Sequence, residues 1–155
     1  MPVLLRNAQK RFKVDVGTLK KQIQTLLAVL NCSDSELSIL LVNDRDIQEL
    51  NCRYRNIDRA TDVLSFPQQE GELPKLDTHL LGDIVVSVET AHSQAEEHQL
   101  SFEEELILLI IHGLLHLLDY DHERSHKEEE RMKKKTLELF SKIFPEKNST
   151  GLSDY

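Results

Sequence analysis

Thirteen consecutive residues, Leu106 to Leu118, consist of Leu, Ile, one Gly and two His. The run is longer than an ordinary strand, and Ser101 with Glu104 forms a capping box just ahead of it, so it reads as a helix. A helix that is apolar almost all round belongs in an interior. It is too short to span a bilayer. A chain of 155 residues fits one globular domain with a sizeable core, and this helix must stand at the centre of that core.

The remaining segments supply what can surround it. Val3 to Leu5 suits a short strand at a sheet edge, and Leu37 to Val42, Val63 to Phe66 and Ile84 to Val88 have the length and residue types of further strands. Pro67 should stop the third. Apolar residues recur with helical period at Leu19, Ile23, Leu26, Leu27 and Leu30 after an Asp15 cap. A second helix should follow Asn43, with Ile47, Leu50 and Tyr54 as its apolar stripe. Glu89 to His98 reads as a polar helix. Ser125 with Glu128 opens a charged one with Met132, Leu137, Leu139 and Ile143 turned inward. Gln68 to His79 is expected to be a loop. The expected fold is α+β: a small mixed β-sheet packed around the buried central helix, with further amphipathic helices outside. It forms a single domain over residues 1–145, followed by a frayed tail at 146–155.

The central helix also carries the most specific chemical signal. His112 and His116 are four residues apart, so their side chains are offset by about 40° and about 6 Å along the axis and share one face. Burying two imidazoles in an apolar helix is costly unless each finds a partner, and a metal ion supplies one. His122 would point roughly 240° away if the helix continued. The helix must therefore stop near Asp119 for His122 to join the pair. Three histidines leave a fourth position open, as in catalytic zinc sites.

His-x3-His-x5-His is also the spacing of the extended zinc-protease pattern, in which a glutamate general base follows the first histidine. Gly113 stands there instead, which argues against peptide hydrolysis. A metal with an open position still activates water without that glutamate. Asp121 is placed either to orient a ligand or to cap the turn. His126 falls at the start of the next helix, where solvent exposure is expected. His79, His92 and His98 lie in polar surroundings and need no special account.

Net charge is −8, which argues against indiscriminate binding of nucleic acid but leaves room for a local basic groove. Two clusters are candidates: Arg45, Arg53, Arg55 and Arg59, and the amino-terminal Arg6, Lys10, Arg11 and Lys13. Cys32 and Cys52 are expected as small apolar filler. Two unpaired thiols and no apolar leader segment suit a reducing, cytoplasmic setting with no membrane association.

Three stretches together are more specific than the histidines alone. They are Leu50-Asn51-Cys52-Arg53-Tyr54-Arg55 leading to Thr61-Asp62-Val63-Leu64-Ser65-Phe66-Pro67, then Leu81-Gly82-Asp83-Ile84, then the histidine run. With them the chain resembles the YbeY family of metal-dependent endoribonucleases over nearly its whole length. The resemblance implies an α+β fold with one zinc ion on His112, His116 and His122. It implies cleavage of single-stranded RNA in maturation of the 3′ end of small-subunit (16S) ribosomal RNA and in ribosome quality control. The small ribosomal subunit or its assembly factors would then be partners. The family's arginine falls on Arg55, expected to bind phosphate or stabilise developing charge. Asp62 and Ser65 match the loop-strand motif and are expected to support the cleft. The chain departs from the family pattern at Ala60, usually proline, and at Asp119, usually glycine; both positions shape turns. Two other readings stand beside this one: a metal-dependent hydrolase of peptides or esters, and a ribosome-assembly factor whose zinc is structural.

Overall fold

Alternation of side chains along the strands builds two apolar layers, one on each side of a single sheet. In a computed structural model, which describes residues 3–67, 80–118 and 125–146, the strands are β1 (Val3–Asn7), β2 (Glu36–Val42), β3 (Val63–Pro67) and β4 (Leu80–Ser87). Their order across the sheet is β1-β2-β4-β3. The β1–β2 and β2–β4 pairs are parallel, and β3–β4 is antiparallel. β1 lies at the edge, as its sequence suggests, and the sheet is mixed.

On β2, Leu37, Ile39 and Leu41 enter the main core, while Leu40 and Val42 face the second layer. β4 is covered on both faces, with Ile84 and Val86 in the main core and Val85 in the other layer. That double burial is why Ile84 to Val86 reads as an unbroken apolar run rather than an alternating one. Helix α2 (Asp44–Arg55), capped by Asn43, covers the second layer with Ile47 and Leu50. The main core lies among α1 (Val16–Val29), α3 (Val88–His98), α4 (Phe102–Leu117) and α5 (His126–Ile143).

Helix α4 is the expected central element. It contacts α1, α3 and α5 as well as β3 and β4. Every residue from Leu106 to Ile111 is buried, as are Gly113, Leu114 and Leu115. Both halves of the Ser101–Glu104 capping box form. The helix ends at Leu117, close to where the histidine geometry requires a stop.

Gly113 marks the closest approach of this helix to the sheet. A Cβ added there would lie 2.9 Å from Cγ2 of Ile84. Ile84 is itself fully buried, so its side chain has little room to give way. The glycine is a packing requirement: it lets α4 press against β4.

Several boundaries differ from the sequence expectation for local reasons. β4 starts four residues before Ile84 and ends at Ser87, whose hydroxyl accepts from the Thr90 amide at 3.3 Å. Val88 is thereby the first residue of α3 rather than the last of the strand. On α5 the buried positions are Met132, Thr136, Leu139 and Phe140, while Leu137 and Ile143 are only partly buried. Tyr54, expected in the apolar stripe of α2, is 60% exposed. Cys32 packs partly buried against the main core, where desolvation raises its thiol pKa; Cys52 is exposed and fills nothing. The expected 68–79 loop and the tail beyond Glu146 lie outside the described residues. No helix among the described residues is long and apolar enough to cross a membrane.

Replacing Gly113 by Ala should lower stability by about 1–2 kcal/mol. Overpacking against Ile84 outweighs the roughly 1 kcal/mol that alanine gains in a helix. Urea unfolding monitored by circular dichroism measures this, and an unchanged or higher midpoint would mean that helix and strand separate freely.

Candidate active site

Between Glu105 and His116, only His112 and His116 are not fully buried. They sit one turn apart on α4, and everything around them on the helix is packed into the core. Within this buried stretch the two imidazoles are therefore the points that reach toward the surface. His116 lies in the last turn, and the Leu118 amide closes the helix on the Leu114 and Leu115 carbonyls at 3.1 Å each. Backbone carbonyls at a helix C-terminus favour a nearby positive charge. Two neutral nitrogen donors one turn apart at such an end suit a divalent cation. His122 and Asp121 lie outside the described residues, as does the turn containing Asp119. Among the described residues no group of three metal-binding side chains assembles. His126 is exposed at the start of α5, as expected.

Gly113 bears directly on what the pair can do. A glutamate at that position would bring its Cβ to 2.9 Å from Ile84 and force a shift in the packed contact. The general base of the protease pattern is therefore opposed by packing as well as missing from the sequence.

Arg55 is the last residue of α2, and the chain turns away at Asn56 in the left-handed region with φ of 58°. Asn tolerates that conformation better than most residues. The Asn51 side-chain amide donates to the Arg59 carbonyl at 2.9 Å and holds the following loop in place. Arg55 Nη2 donates to the Ser65 carbonyl at 2.6 Å, and its guanidinium carbon lies 5.2 Å from the centre of the Phe66 ring. The described partners of Arg55 are thus a carbonyl and a ring face, not the carboxylate of a surface ion pair. Ser65 sits opposite Ile84 in the β3–β4 register, and Ile84 packs on Gly113. Three contacts in series therefore connect Arg55 to the helix that carries the histidines.

A second set of groups on this side of α4 is not anticipated by the sequence reading. Glu105 is fully buried and lies two turns before His112, which places it on the same helix face. Its Oε1 is 2.8 Å from Nδ1 of His98. With the Gln94 amide oriented to donate, its nitrogen lies 3.3 Å from Glu105 Oε2 and 3.3 Å from Asp62 Oδ2. Asp62 also accepts from the Val63 amide at 2.8 Å, and its carbonyl accepts from the Ser87 amide at 2.9 Å. Asp62, expected to support the cleft, ties the start of β3 to the end of β4 and, through Gln94, to α4. His98 does need an account, because it partners a buried carboxylate. The available signal was spacing: Glu105 is seven residues before His112, and an acidic residue there faces the same way.

His92 also has a role, stacking on Phe12 with ring centroids 4.7 Å apart. Phe12 in turn lies 5.6 Å from Phe102 at the first residue of α4. Arg11 beside it pairs with Glu89 at 2.6 Å. Ten residues of helix separate Phe102 from His112, about 15 Å along the axis. The segment around Arg11 is thus held at the end of α4 remote from the histidines, while Arg6 lies on β1 beside the α2 side of the sheet. Arg6 and Arg11 are thus held at different places in the fold rather than in one cluster.

Fold and site together describe an α+β protein with a histidine pair on a buried helix and an arginine clamped at its flank. A family model described as Endoribonuclease YbeY matches residues 4–144. The chain is 44% identical over 141 residues to an Endoribonuclease YbeY of Syntrophus aciditrophicus, covering 90% of this chain and 88% of that one. It is 46% identical over 140 residues to one from Syntrophotalea carbinolica, covering 90% and 93%. The solution structure of a Thermotoga maritima protein superposes with a TM-score of 0.65 at 30% identity, covering 93% of this chain and 90% of the other. The chain belongs to the YbeY endoribonuclease family.

Replacing Glu105 by Ala should destabilise the fold by about 3 kcal/mol, since it leaves buried polar partners unsatisfied. Chemical denaturation measures this; a loss below about 0.5 kcal/mol, the range of an ordinary surface change, would show the network to be incidental.

Proposed function

We propose that the chain is a zinc-dependent, single-strand-specific endoribonuclease that acts in 16S rRNA 3′-end maturation and ribosome quality control. The family match over residues 4–144 carries the endoribonuclease reading. His112, His116 and His122 would hold the metal. Zinc so placed would supply a Lewis acid that activates water and neutralises phosphoryl charge.

The chain's own groups have separate tasks. Arg55 is held by one N–H on the Ser65 carbonyl and by the Phe66 ring beneath it. A guanidinium fixed in this way loses little further freedom when its other donors engage a phosphate. It would orient the scissile phosphate and offset charge that grows on the non-bridging oxygens. The Asp62–Gln94–Glu105–His98 network would hold α4 against β3, keeping the arginine and histidine elements in fixed relation. Gly113 allows the close contact with Ile84 on which that relation depends. In cells the expected setting is the cytoplasm, with the small ribosomal subunit or its assembly factors as partners.

Protein freed of contaminating nuclease should cleave single-stranded RNA. His116→Ala and Arg55→Ala should each lower the rate by about a hundredfold or more, the scale of losing one transition-state contact. Full activity in both variants would sink the assignment. Chelation should abolish cleavage and added zinc should restore it, with far-ultraviolet circular dichroism unchanged throughout. Unfolding on chelation would instead mark the metal as structural. In cells lacking the protein, small-subunit rRNA should accumulate with unprocessed 3′ ends; normal ends would remove the maturation role.

A further inference from the structure

On the face of the sheet away from α4, a groove of about 480 Å³ opens between α2 and the strands. Tyr54 and Leu50 of α2 and Phe66 of β3 line it, together with Leu40 of β2, Arg6 of β1 and Asp83 of β4. Tyr54 meets the Phe66 ring edge-on, with centroids 5.5 Å apart, yet stays 60% exposed. Core packing does not account for so large an aromatic surface left open to water. Arg53 and Arg55 are the sequence neighbours of Tyr54 in the last turn of α2, and the Arg55 guanidinium lies over the Phe66 ring.

We propose that this groove is a stacking subsite for an unpaired nucleobase of the RNA strand, with Arg6 and Arg55 placed to meet neighbouring phosphates. The inference rests on the endoribonuclease reading and extends it to how the strand is held. An exposed aromatic ring flanked by guanidinium groups is the combination that binds single-stranded nucleic acid without strong sequence preference. A base inside a duplex is already stacked and does not offer its face to Tyr54, so the subsite selects unpaired RNA. The groove borders the arginine of the candidate site, because Phe66 lines it and also lies under the Arg55 guanidinium. A second copy of the chain fits less well: a two-fold interface here would set each cluster of arginines near its equivalent. A basic protein segment meets the same repulsion.

The test is binding of a single-stranded oligoribonucleotide carrying 2-aminopurine, whose fluorescence falls when the base stacks. Chelated full-length protein is used, so that binding is read apart from cleavage. Tyr54→Ala should weaken affinity about five- to a hundredfold and abolish the quenching, while Tyr54→Phe should stay within about twofold of the wild type. The Ala variant should keep the wild-type salt slope; Arg6→Gln should lower it by about one phosphate contact. An oligonucleotide with abasic sites should bind wild type and Tyr54→Ala equally. Tyr54 is exposed, and circular dichroism of the variants checks that they fold. Wild type that binds the strand while Tyr54→Ala binds and quenches just as well would overturn the subsite but leave the endoribonuclease reading intact. Wild type with no affinity for single-stranded RNA would overturn both. A Tyr54→Ala variant that loses self-association rather than RNA affinity would assign the groove to a second copy.

Discussion

The contact between Gly113 and Ile84 sets the geometry of the rest of the molecule. Because α4 lacks a side chain where it meets β4, the helix can lie directly against the sheet and be enclosed by α1, α3 and α5. Enclosure buries nearly every position from Glu105 to Leu115, and His112 and His116 are left as the residues that reach the surface. The same contact fixes the distance from α4 to β3, since Ile84 is paired with Ser65. A small shift at Gly113 would therefore move the histidines relative to Arg55. The contact also opposes a side chain at the position where the protease pattern carries its glutamate.

Holding a polar site at the edge of such an apolar core requires polar partners inside it. Glu105 is fully buried, and its carboxylate would be costly there without His98 and Gln94. The arrangement gives α3, α4 and the start of β3 a shared set of hydrogen bonds whose directions are specific, which apolar packing alone does not provide. On the other side of the sheet, α2 ends at a residue that is clamped rather than free. Arg55 is fixed by a carbonyl and a ring, and the Asn56 turn sends the chain away before it can cover the groove beside Tyr54.

Much of the fold was legible because local signals agreed with one another. Asp15, Asn43, Ser101 and Ser125 all cap the helices they precede, and β1, β2 and β3 lie where apolar runs of strand length stand. Where local and tertiary demands differed, the sequence was a poorer guide. Tyr54 falls on the apolar stripe of α2 by period, but it lines an open groove between that helix and the sheet and stays exposed. His98 and Glu105 look like surface residues of polar stretches, and only the packing of α3 on α4 makes them a buried carboxylate and its half-buried partner. Arg11 and Arg55 belong to comparable basic clusters, yet the stacking of Phe12 on His92 carries one of them to the far end of α4.

The sequence by itself determined that a central apolar helix exists, that two histidines share one of its faces, and that the helix ends soon after them. These follow from composition, helical period and capping, which act over a few residues. Tertiary structure alone decided which of the helix's residues meet solvent, which basic residues lie near the histidines, and that a carboxylate could be buried beside them. Those outcomes depend on strand order and on which face of the sheet each helix covers. Residues tens of positions apart in the chain settle them together, so no local pattern records the result.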